Sequence, residues 1–333
     1  MALLCWSNVY SYKPMKTKII ILIVLISSIA FAYYWFSLKQ EKPKNESNHL
    51  PKQFNIGLVN SCRKVPAFIR QLNMQQPAID SKGQGHAGGL LIRDIATRQT
   101  WQHPSWKQSG YLAAFDRDSL GNLYVAPLPY VSLQQNPPAD QNQIYKIDAK
   151  TAQMSLFMKM PSVEIPNIKN PFGTMGLFYD CDTNSLYVSS VAGSTPHKEK
   201  GIIYQIDLAT NKVVSQFKQT DTIGIGVFNT LKGKKLYYGS ARAPHIYSIN
   251  LDEKGHFISD EKYEFSLSTI QGGDTTVAKK IQFTNQKGQY VLTVKETEFG
   301  FRLLAENNLN RKKYHFSYSL ADDKWSYVSS SKD

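Results

Sequence analysis

A 14-residue unit recurs four times along this chain, and it constrains the fold more than any other feature. Each copy consists of an apolar segment, a polar turn and a second apolar segment, which is typical of a β-hairpin. The copies are Leu112–Val125, Met175–Val188, Ile225–Tyr238 and Ala278–Val291, with Tyr124, Tyr187, Tyr237 and Tyr290 at the thirteenth position. The sequence therefore predicts a fold built from repeated hairpins.

A second type of hairpin alternates with the first. Its two segments are joined by turns rich in Asp, Ala, Thr and Asn, whose side chains can hydrogen-bond to nearby backbone groups. The clear copies are Ile144–Met154, Ile203–Val213 and Ile246–His256, and the weaker ones are Leu90–Thr100 and His315–Trp325. Two hairpins per repeat give four strands, which is one blade of a β-propeller. We therefore predict an all-β domain over residues 55–333, a propeller of four-stranded blades.

The repeats constrain the number of blades less tightly than they constrain the type of fold. Five hairpins of the second type are visible, so five blades can be counted directly. A sixth blade is expected from residues 55–85 together with residues 299–313, and we favour six blades over five. In this scheme Asn55–Asn60 forms a strand that pairs with the C-terminal blade and closes the ring, which removes an exposed sheet edge.

An uncharged apolar run of 18 residues, Ile19–Phe36, precedes the repeats. Its length is close to the ~20 residues that cross a bilayer as a helix, and aromatic residues at its end suit the headgroup level. We favour a retained single-pass membrane anchor. The alternative is a secretory signal that begins at Met15 and is cleaved at Ala32.

Both alternatives place the repeats outside the cytoplasm. Residues 1–18 are then a cytoplasmic N-terminus, or they include a stretch that precedes a true start at Met15. Residues 37–54 are polar and are expected to be a flexible tether. The membrane is thus a predicted partner through residues 19–36, and the protein is secreted or periplasmic if the signal is removed.

The chain has a formal net charge of +13, which favours anionic partners. Outside a cell these are lipid headgroups or anionic envelope polymers rather than nucleic acid, and a protein partner is the alternative. Lys232, Lys234 and Lys235 lie in a predicted hairpin turn, where solvated lysines are expected. Cys62 and Cys181 would pair in an oxidising compartment, but we favour two separate buried thiols because the sequence does not bring them within bonding distance.

Candidate ligand-binding residues are aromatic, imidazole and guanidinium side chains. Trp101 and His103 alternate, so they are expected to share one face of a strand on which a sugar or peptide ring would stack. Loops on one face of a propeller collect binding groups, and Arg242 in such a loop would suit a carboxylate or phosphate. The full set is His86, Trp101, His103, His197, Arg242 and His245.

Two further features of the sequence were considered as a nucleotide site and as a metal site, and neither is predicted to be one. The run Gly83–Gly88 fits the pattern G-x-G-x-x-G, but a dinucleotide site needs a strand before it and a helix after it. Here a polar loop precedes the run and a strand follows, so no nucleotide site is predicted. Acidic side chains in the first two repeat copies are interpreted as turn-stabilising groups, namely Asp116, Asp118, Asp180 and Asp182. No metal site, cofactor or catalytic residue is predicted.

The segment Gly224–Asn250 resembles a blade of the six-bladed propeller superfamily that includes the NHL-repeat proteins and the SMP-30/gluconolactonase/strictosidine-synthase-like group. The resemblance extends over residues 86–328 and implies a six-bladed ring. In the lactonases of that superfamily, Glu, Asn and Asp side chains on inner strands hold a central divalent metal. At the matching places this chain has Gly224–Gly226 and Tyr237–Gly239, which lack the Asn and Asp of that pattern.

Together these features predict a binding or scaffolding module for an envelope polymer, a peptide or a protein. The blades would supply a rigid support, and loops on one mouth would present aromatic and basic groups. The alternative is a lactonase-like or other hydrolase acting at the central channel, which would use calcium or zinc.

Overall fold

The computed structural model describes residues 54–81, 89–128, 133–270, 276–301, 303 and 311–332. Their strands form five antiparallel sheets, here named I to V. Among these residues no helix has the length and apolar character needed to cross a bilayer. The predicted anchor at residues 19–36, the Gly83–Gly88 run and His86 lie outside the described residues.

Sheet I has three strands, and sheets II and III have four each. Sheet I consists of β2 (Pro77–Asp80), β3 (Leu91–Asp94) and β4 (Thr100–Trp101). Sheet II consists of β5 (Leu112–Arg117), β6 (Leu123–Pro127), β7 (Gln143–Ile147) and β8 (Met154–Lys159). Sheet III consists of β9 (Thr174–Asp180), β10 (Ser185–Ser190), β11 (Ile202–Asp207) and β12 (Lys212–Lys218).

Sheet IV gains a fifth strand from the N-terminal part of the domain. It consists of β1 (Gly57–Leu58), β13 (Thr222–Thr230), β14 (Gly233–Ser240), β15 (His245–Asn250) and β16 (Lys262–Ser266). Sheet V consists of β17 (Val277–Gln286), β18 (Gln289–Thr297), β19 (Lys312–Ser319) and β20 (Lys324–Lys332). Short 3-10 helices span Ala67–Gln71, Pro104–Ser109, Pro138–Asp140 and Leu267–Thr269.

The strand pairs confirm the predicted hairpins of both types. One strand from each of sheets II to V packs against the corresponding strand of the next sheet, in the order β5, β9, β13, β17. The sheets are therefore arranged as blades of a propeller. One boundary differs from the prediction. The second strand of the hairpin that starts at Ile246 begins only at Lys262, because residues 251–261 form a longer turn.

The prediction of six blades is not met by the described residues, which form five sheets. Residues 55–85 were expected to supply a sixth blade. They are divided instead between β1, which joins sheet IV, and β2, which joins sheet I. The repeat pattern could not show this division because neither strand belongs to a copy of the 14-residue unit.

The tyrosines of the 14-residue unit explain its pattern. Tyr124, Tyr187 and Tyr237 are each at most 2% exposed and lie in clusters of apolar side chains between neighbouring sheets. The hydroxyl groups of two of them have acceptors: that of Tyr124 donates to Asp118 (3.4 Å) and that of Tyr187 donates to the carbonyl of Gly255 (2.7 Å). A large ring with a polar tip fills the space between twisted blades and can still hydrogen-bond at its tip, which accounts for the recurrence of tyrosine at this position.

Residues 54–72, here called the strap, cross the turns of several sheets before the chain enters sheet I. β1 pairs with the edge of β13, with Gly57 opposite Asn229. The Tyr290 hydroxyl donates to the carbonyl of Ile56 (3.1 Å), and the Tyr290 ring leaves no room for a side chain at Gly57, whose φ is 126°. The predicted pairing of this segment with the C-terminal blade is therefore wrong, because the open edge of β13 takes it.

A disulfide joins the strap to sheet III. Cys62 is bonded to Cys181, 119 residues away in the sequence, and the amide of Cys181 donates to the carbonyl of Val59 (2.8 Å). The expectation of two separate thiols is wrong. The strap places Cys62 against the turn between β9 and β10. The repeat pattern could not predict this contact, because the strap crosses the repeats and belongs to none of them.

Arg63 fixes the strap to sheets II and III. Its guanidinium group pairs with Asp116 (2.6 Å) and donates to the carbonyl of Tyr179 (2.7 Å). The two charged side chains are 15% and 10% exposed, so solvent screens their attraction little. The next residue, Lys64, donates its amide to the carbonyl of Asp118 (3.2 Å). Asp116 is therefore an ion-pair partner of the strap in addition to a residue near a turn.

The two faces of sheet V differ in character. Ile281 and Phe283 of β17 are buried against the side chains of sheet IV. Their neighbours Lys280, Gln282 and Thr284 point to the opposite face, because side chains alternate along a strand, and they are exposed. This outer face of sheet V is polar and accessible.

Candidate binding site

Three tyrosines stand side by side across sheet IV. Tyr238 of β14 is directly opposite Tyr247 of β15, and Tyr247 is directly opposite Tyr263 of β16. Opposed residues of an antiparallel sheet point to the same face with their Cβ atoms about 4.5–5.5 Å apart, so their side chains interact. These three residues are called the tyrosine row below.

The tyrosine row leads from the core to the solvent. Tyr238 is 1% exposed and packs between sheets III and IV, whereas Tyr263 is 51% exposed. The rings of Tyr238 and Tyr247 are stacked with centroids 5.5 Å apart, and the ring of Tyr263 stands nearly perpendicular to that of Tyr247 at 5.8 Å. Each ring supports the next, so the exposed ring is held in place by the buried one.

His245 belongs to the same surface. It lies two residues before Tyr247 on β15 and therefore points to the same face. Its Nδ1 atom is 3.3 Å from the Tyr247 hydroxyl oxygen, and its ring is nearly perpendicular to that of Tyr263 at 5.6 Å. The structure thus places one of the sequence-predicted residues in an aromatic surface, next to tyrosines that the sequence analysis did not select.

Two carboxylates lie at the edge of the tyrosine row. The Tyr238 hydroxyl donates to Glu261, and burial together with this carboxylate raises the pKa of Tyr238. Burial also raises the pKa of Tyr247, and the negative charges of Glu261 and Glu199 raise it further. Both carboxylates therefore act electrostatically on the row, and this part of a strongly basic chain has an acidic border.

Arg242 holds the loop of residues 194–201, which carries Glu199. Its guanidinium group pairs with Asp221 (2.5 Å) and donates to the carbonyl of Thr195 (2.8 Å). It also lies 3.8 Å from Glu199. The sequence predicted Arg242 as a ligand for a carboxylate, and in the structure the carboxylate it binds belongs to its own chain. Its binding of an external anion stays a prediction.

Asp221, the carboxylate that pairs with Arg242, is fully buried. One of its oxygens accepts hydrogen bonds from the Ser194 hydroxyl and from the Gly201 amide (2.9 Å). Burial raises the pKa of Asp221, and the hydrogen bond from Ser194 and the charge of Arg242 oppose that shift. His197 is exposed in the loop that this network holds, so the structure brings His197 and Arg242 into one loop cluster.

Trp101 and His103 lie elsewhere, between sheets I and II. The Trp101 ring packs against Trp106 (5.6 Å) and Phe68 (5.7 Å), and Trp106 is fully buried. His103 caps the helix Pro104–Ser109, where its Nδ1 atom accepts a hydrogen bond from the Ser105 amide (3.2 Å). Both residues have structural contacts, and their use as ligands stays a prediction.

The acidic residues of the central region are engaged by cations of the same chain. Lys234 pairs with Asp180 (2.8 Å) and Asp182 (2.9 Å), and its ammonium nitrogen lies 4.4 Å from the Phe54 ring centroid. The side chains of Lys234 and Asp180 have no exposed surface, so the expectation of solvated lysines in this turn is wrong for Lys234, whereas Lys232 is exposed as expected. Lys235 is also buried, 3.6 Å from Asp323.

These pairs bear on the central metal that the superfamily resemblance implies. Asp116 and Asp180 are already neutralised by Arg63 and Lys234, and the described residues contain no group of three His, Cys, Asp or Glu side chains suited to a metal. The donor set of the described residues does not fit such an ion. The sequence analysis missed these pairs because each joins residues from different repeats or from the strap.

No protein-family model matches this chain, and no curated protein matches it in sequence. Solved structures with a related arrangement of strands include a luciferin-regenerating enzyme, with 13% identity and a TM-score of 0.47 over 85% of this chain and 78% of that chain. Another is the β-propeller domain of Cps50 (Swd1) from Myceliophteria thermophila, with 11% identity and a TM-score of 0.40 over 74% of this chain and 68% of that chain.

An exo-β-1,3-galactanase from Phanerochaete chrysosporium is also similar, with 11% identity and a TM-score of 0.42 over 77% of this chain and 54% of that chain. These proteins differ from one another in what their names say they do. At such identities and TM-scores, the similarity concerns the arrangement of strands and says nothing about chemistry.

Proposed function

We propose that this protein is a binding module whose tyrosine row and His245 contact a cationic segment of a peptide or protein partner. The observation that carries the proposal is the in-register row, in which a half-exposed Tyr263 is supported by the half-buried Tyr247 and, behind it, the buried Tyr238. Tyrosine is enriched at protein interfaces because it offers a large, rigid contact area at low entropic cost. The rigid sheet beneath supplies the preorganisation that such a contact needs.

The chemistry of the surface favours a positively charged partner. The face of a tyrosine ring attracts a Lys or Arg side chain within about 6 Å, and the attraction grows when the pair is desolvated. Glu199 and Glu261 border the row and add attraction for the same charge. Arg242 does not cancel this effect, because the buried carboxylate of Asp221 already balances its charge.

The proposal is tested by binding of the full-length protein to an array of octapeptides that contain Lys or Arg. We expect the cationic peptides to bind and matched peptides with Glu at the same positions not to bind. Tyr263→Ala should weaken the affinity about tenfold or more, which is about 1.4 kcal/mol, because an exposed anchor ring is lost.

Tyr327→Ala is the matched control, since Tyr327 is 45% exposed on the outer strand of sheet V. It should bind the cationic peptides as the unchanged protein does. Equal binding of acidic and cationic peptides, or an equal loss in the two variants, would contradict the proposal.

We propose in addition that the domain works outside the reducing cytoplasm, attached to a membrane through residues 19–36. The disulfide between Cys62 and Cys181 supports this location, because disulfides persist in oxidising compartments. The test is alkylation of acid-quenched cells before and after reduction. We expect Cys62 and Cys181 to be protected until a reductant is added, and labelling of either of these two residues without reductant would refute the location.

A further inference from the structure

Residues 161–170 form a loop between sheets II and III that exposes three aliphatic side chains. Val163, Ile165 and Ile168 are 66%, 67% and 82% exposed, and Ile168 is the most exposed large apolar side chain of the described residues. Single exposed apolar residues are ordinary on a protein surface, whereas a cluster with a polar border marks a contact with a membrane or with another protein. This segment is called the apolar loop below.

Both ends of the apolar loop are held by side chains of buried residues. The Tyr204 hydroxyl donates to the carbonyl of Pro161. The side-chain amide of Asn170, which is 2% exposed, donates to the carbonyls of Val191 (2.8 Å) and Ser194 (2.9 Å). These hydrogen bonds fix the path of the backbone where the loop begins and where it ends.

The middle of the apolar loop is held by the loop of residues 194–201 and the turn before it. Glu164 pairs with Lys200. Gly193 packs against Glu164, because a Cβ atom at Gly193 would lie only 2.9 Å from Cβ of Glu164, and the φ of Gly193 is 81°. Pro166 is buried. The aliphatic side chains are thus presented on a fixed backbone, which reduces the entropy lost on binding.

The surroundings of the apolar loop carry an excess of positive charge. Lys159 at the end of β8, Lys169 in the apolar loop and Lys198 in the loop of residues 194–201 are exposed. Among the described residues none of these three lysines has an ion-pair partner. Because Lys200 balances Glu164, the remaining acidic residue of the two loops is Glu199. The border therefore favours an anionic partner.

The composition of the apolar loop favours a lipid surface over a protein partner. Protein interfaces are enriched in aromatic residues, methionine and arginine, and they are depleted in lysine. The apolar loop contains none of the enriched residue types and is bordered by lysines. A bilayer of anionic lipids accepts apolar side chains at the boundary of its acyl chains and attracts lysines to its headgroups.

We propose that the apolar loop docks the domain onto an anionic bilayer. Val163, Ile165 and Ile168 enter the boundary between headgroups and acyl chains, and the neighbouring lysines contact the headgroup phosphates. The inference rests on the membrane attachment proposed above, to which it adds a second contact. It is independent of the tyrosine row and of a peptide partner.

The apolar loop and the strap lie at opposite ends of the sheets. The strap contacts turns within hairpins, such as the one at Cys181, whereas the apolar loop connects one sheet to the next. The nine residues of β13 correspond to a height of about 30 Å. A segment as long as residues 37–53 reaches at most about 60 Å. The predicted anchor therefore allows this end of the domain to lie on the same bilayer.

The proposal is tested with the full-length protein in nanodiscs that hold one copy each. A fluorophore sensitive to polarity is attached to Ile168→Cys in a Cys5→Ser background, where Cys62 and Cys181 stay paired. In phosphatidylglycerol discs we expect lipids with a nitroxide on the acyl chain to quench this label about twofold or more. In phosphatidylcholine discs the quenching should be weaker, because the lysines lose their anionic partners.

Leu320→Cys is the matched position at the other end of the sheets. Leu320 is 53% exposed and lies in the turn between β19 and β20, so its label should stay unquenched in both kinds of disc. Equal quenching at the two positions, quenching at neither, or quenching at Leu320 alone would overturn the proposal. A label at Ile168 that is shielded from water but not quenched by the lipid would reveal a protein contact and would also overturn it.

Charge variants of the Ile168→Cys protein test the contribution of the border. Lys169→Gln/Lys198→Gln should lower the ratio of docked to undocked protein about tenfold or more in phosphatidylglycerol discs, and Lys169→Arg/Lys198→Arg should retain it. Lys150→Gln/Lys212→Gln removes the same charge from exposed positions at the other end and should have no effect. An equal loss in the two glutamine variants would show a response to net charge only and would overturn the proposal.

The failure of this proposal can be told apart from that of the membrane attachment. Extraction of the protein from vesicles by alkaline carbonate would refute the attachment through residues 19–36, and quenching at Ile168 at neutral pH would still decide the docking. A protein that resists extraction but shows no quenching keeps the attachment and overturns the docking.

A second variant of the apolar loop separates docking from folding and from peptide binding. Val163→Ser/Ile165→Ser should lower the quenching at Ile168, because less apolar surface enters the bilayer. Its thermal midpoint and its binding of cationic peptides should stay unchanged, since both side chains are exposed and lie outside the tyrosine row. Unchanged quenching in this variant would overturn the proposal.

Discussion

The tyrosine row of sheet IV and a row of three lysines in sheet V (Lys280, Lys295 and Lys313, the lysine row) are built in the same way, but they meet different surroundings. Each consists of three directly opposed residues on three neighbouring strands of an antiparallel sheet. The tyrosine row faces sheet III, and its inner member is buried there. The lysine row lies on the face turned away from the neighbouring sheet, and Lys280 is exposed.

The difference shows that register alone does not decide what a line of residues does. Cross-strand opposition brings like side chains together in both rows, and this gives stacking in one and repulsion in the other. Packing against a neighbouring sheet then decides whether the line contributes to stability. A row that passes from buried to exposed can stabilise the core and present a ring to solvent, whereas the half-buried and exposed side chains of the lysine row lie outside that packing.

The largest expected effect distinguishes the inner ends of the two rows. Tyr238→Ala should lower the free energy of unfolding by about 3–5 kcal/mol, because it removes a fully packed ring between sheets III and IV. Urea unfolding followed by near-UV circular dichroism measures it. Lys280→Ala, at the inner end of the lysine row, should change the same quantity by no more than about 1 kcal/mol, because the exposed Lys280 loses only a cation–π contact with the Phe115 ring (5.9 Å) and surface charge interactions.

Tyr238→Phe is the control for the ring itself. It keeps the packed ring and removes only the hydrogen bond to Glu261, so its cost should be about 1 kcal/mol. A loss below that value for Tyr238→Ala would mean that the tyrosine row does not reach the core, and the contrast with the lysine row would disappear.

Much of the fold could be predicted from the sequence because local patterns specify hairpins. The tyrosine of the 14-residue unit marks the second strand of each first hairpin, and Asp148 shows the turn chemistry of the second type by accepting from the amides of Lys150 and Thr151. The five second hairpins correspond to the five sheets of the described residues, but the sequence could not show that residues 55–85 form no sixth sheet, nor the course of the strap. Both depend on contacts such as Arg63 with Asp116, between residues of no shared pattern.

Less of the candidate site than of the fold could be predicted from the sequence. His245 was selected because it lies near a loop, but its aromatic partner Tyr263 lies beyond the long turn of residues 251–261. The register that places Tyr263 opposite Tyr247 includes a bulge after Ile246, which the alternation of apolar residues does not reveal. The signal that was available is three tyrosines on successive strands of one repeat.

The smallest expected effect tests the charge of an exposed strand position on stability. Lys212→Gln should lower the free energy of unfolding by about 0.2–0.5 kcal/mol at low ionic strength, because Lys212 is directly opposite Asp207. The change should vanish near 1 M salt, where the Debye length is about 3 Å. Urea unfolding at the two salt concentrations measures it. A loss of stability that persists at high salt would show that Lys212 stabilises the sheet by packing, and this charged position would then resemble the tyrosine row.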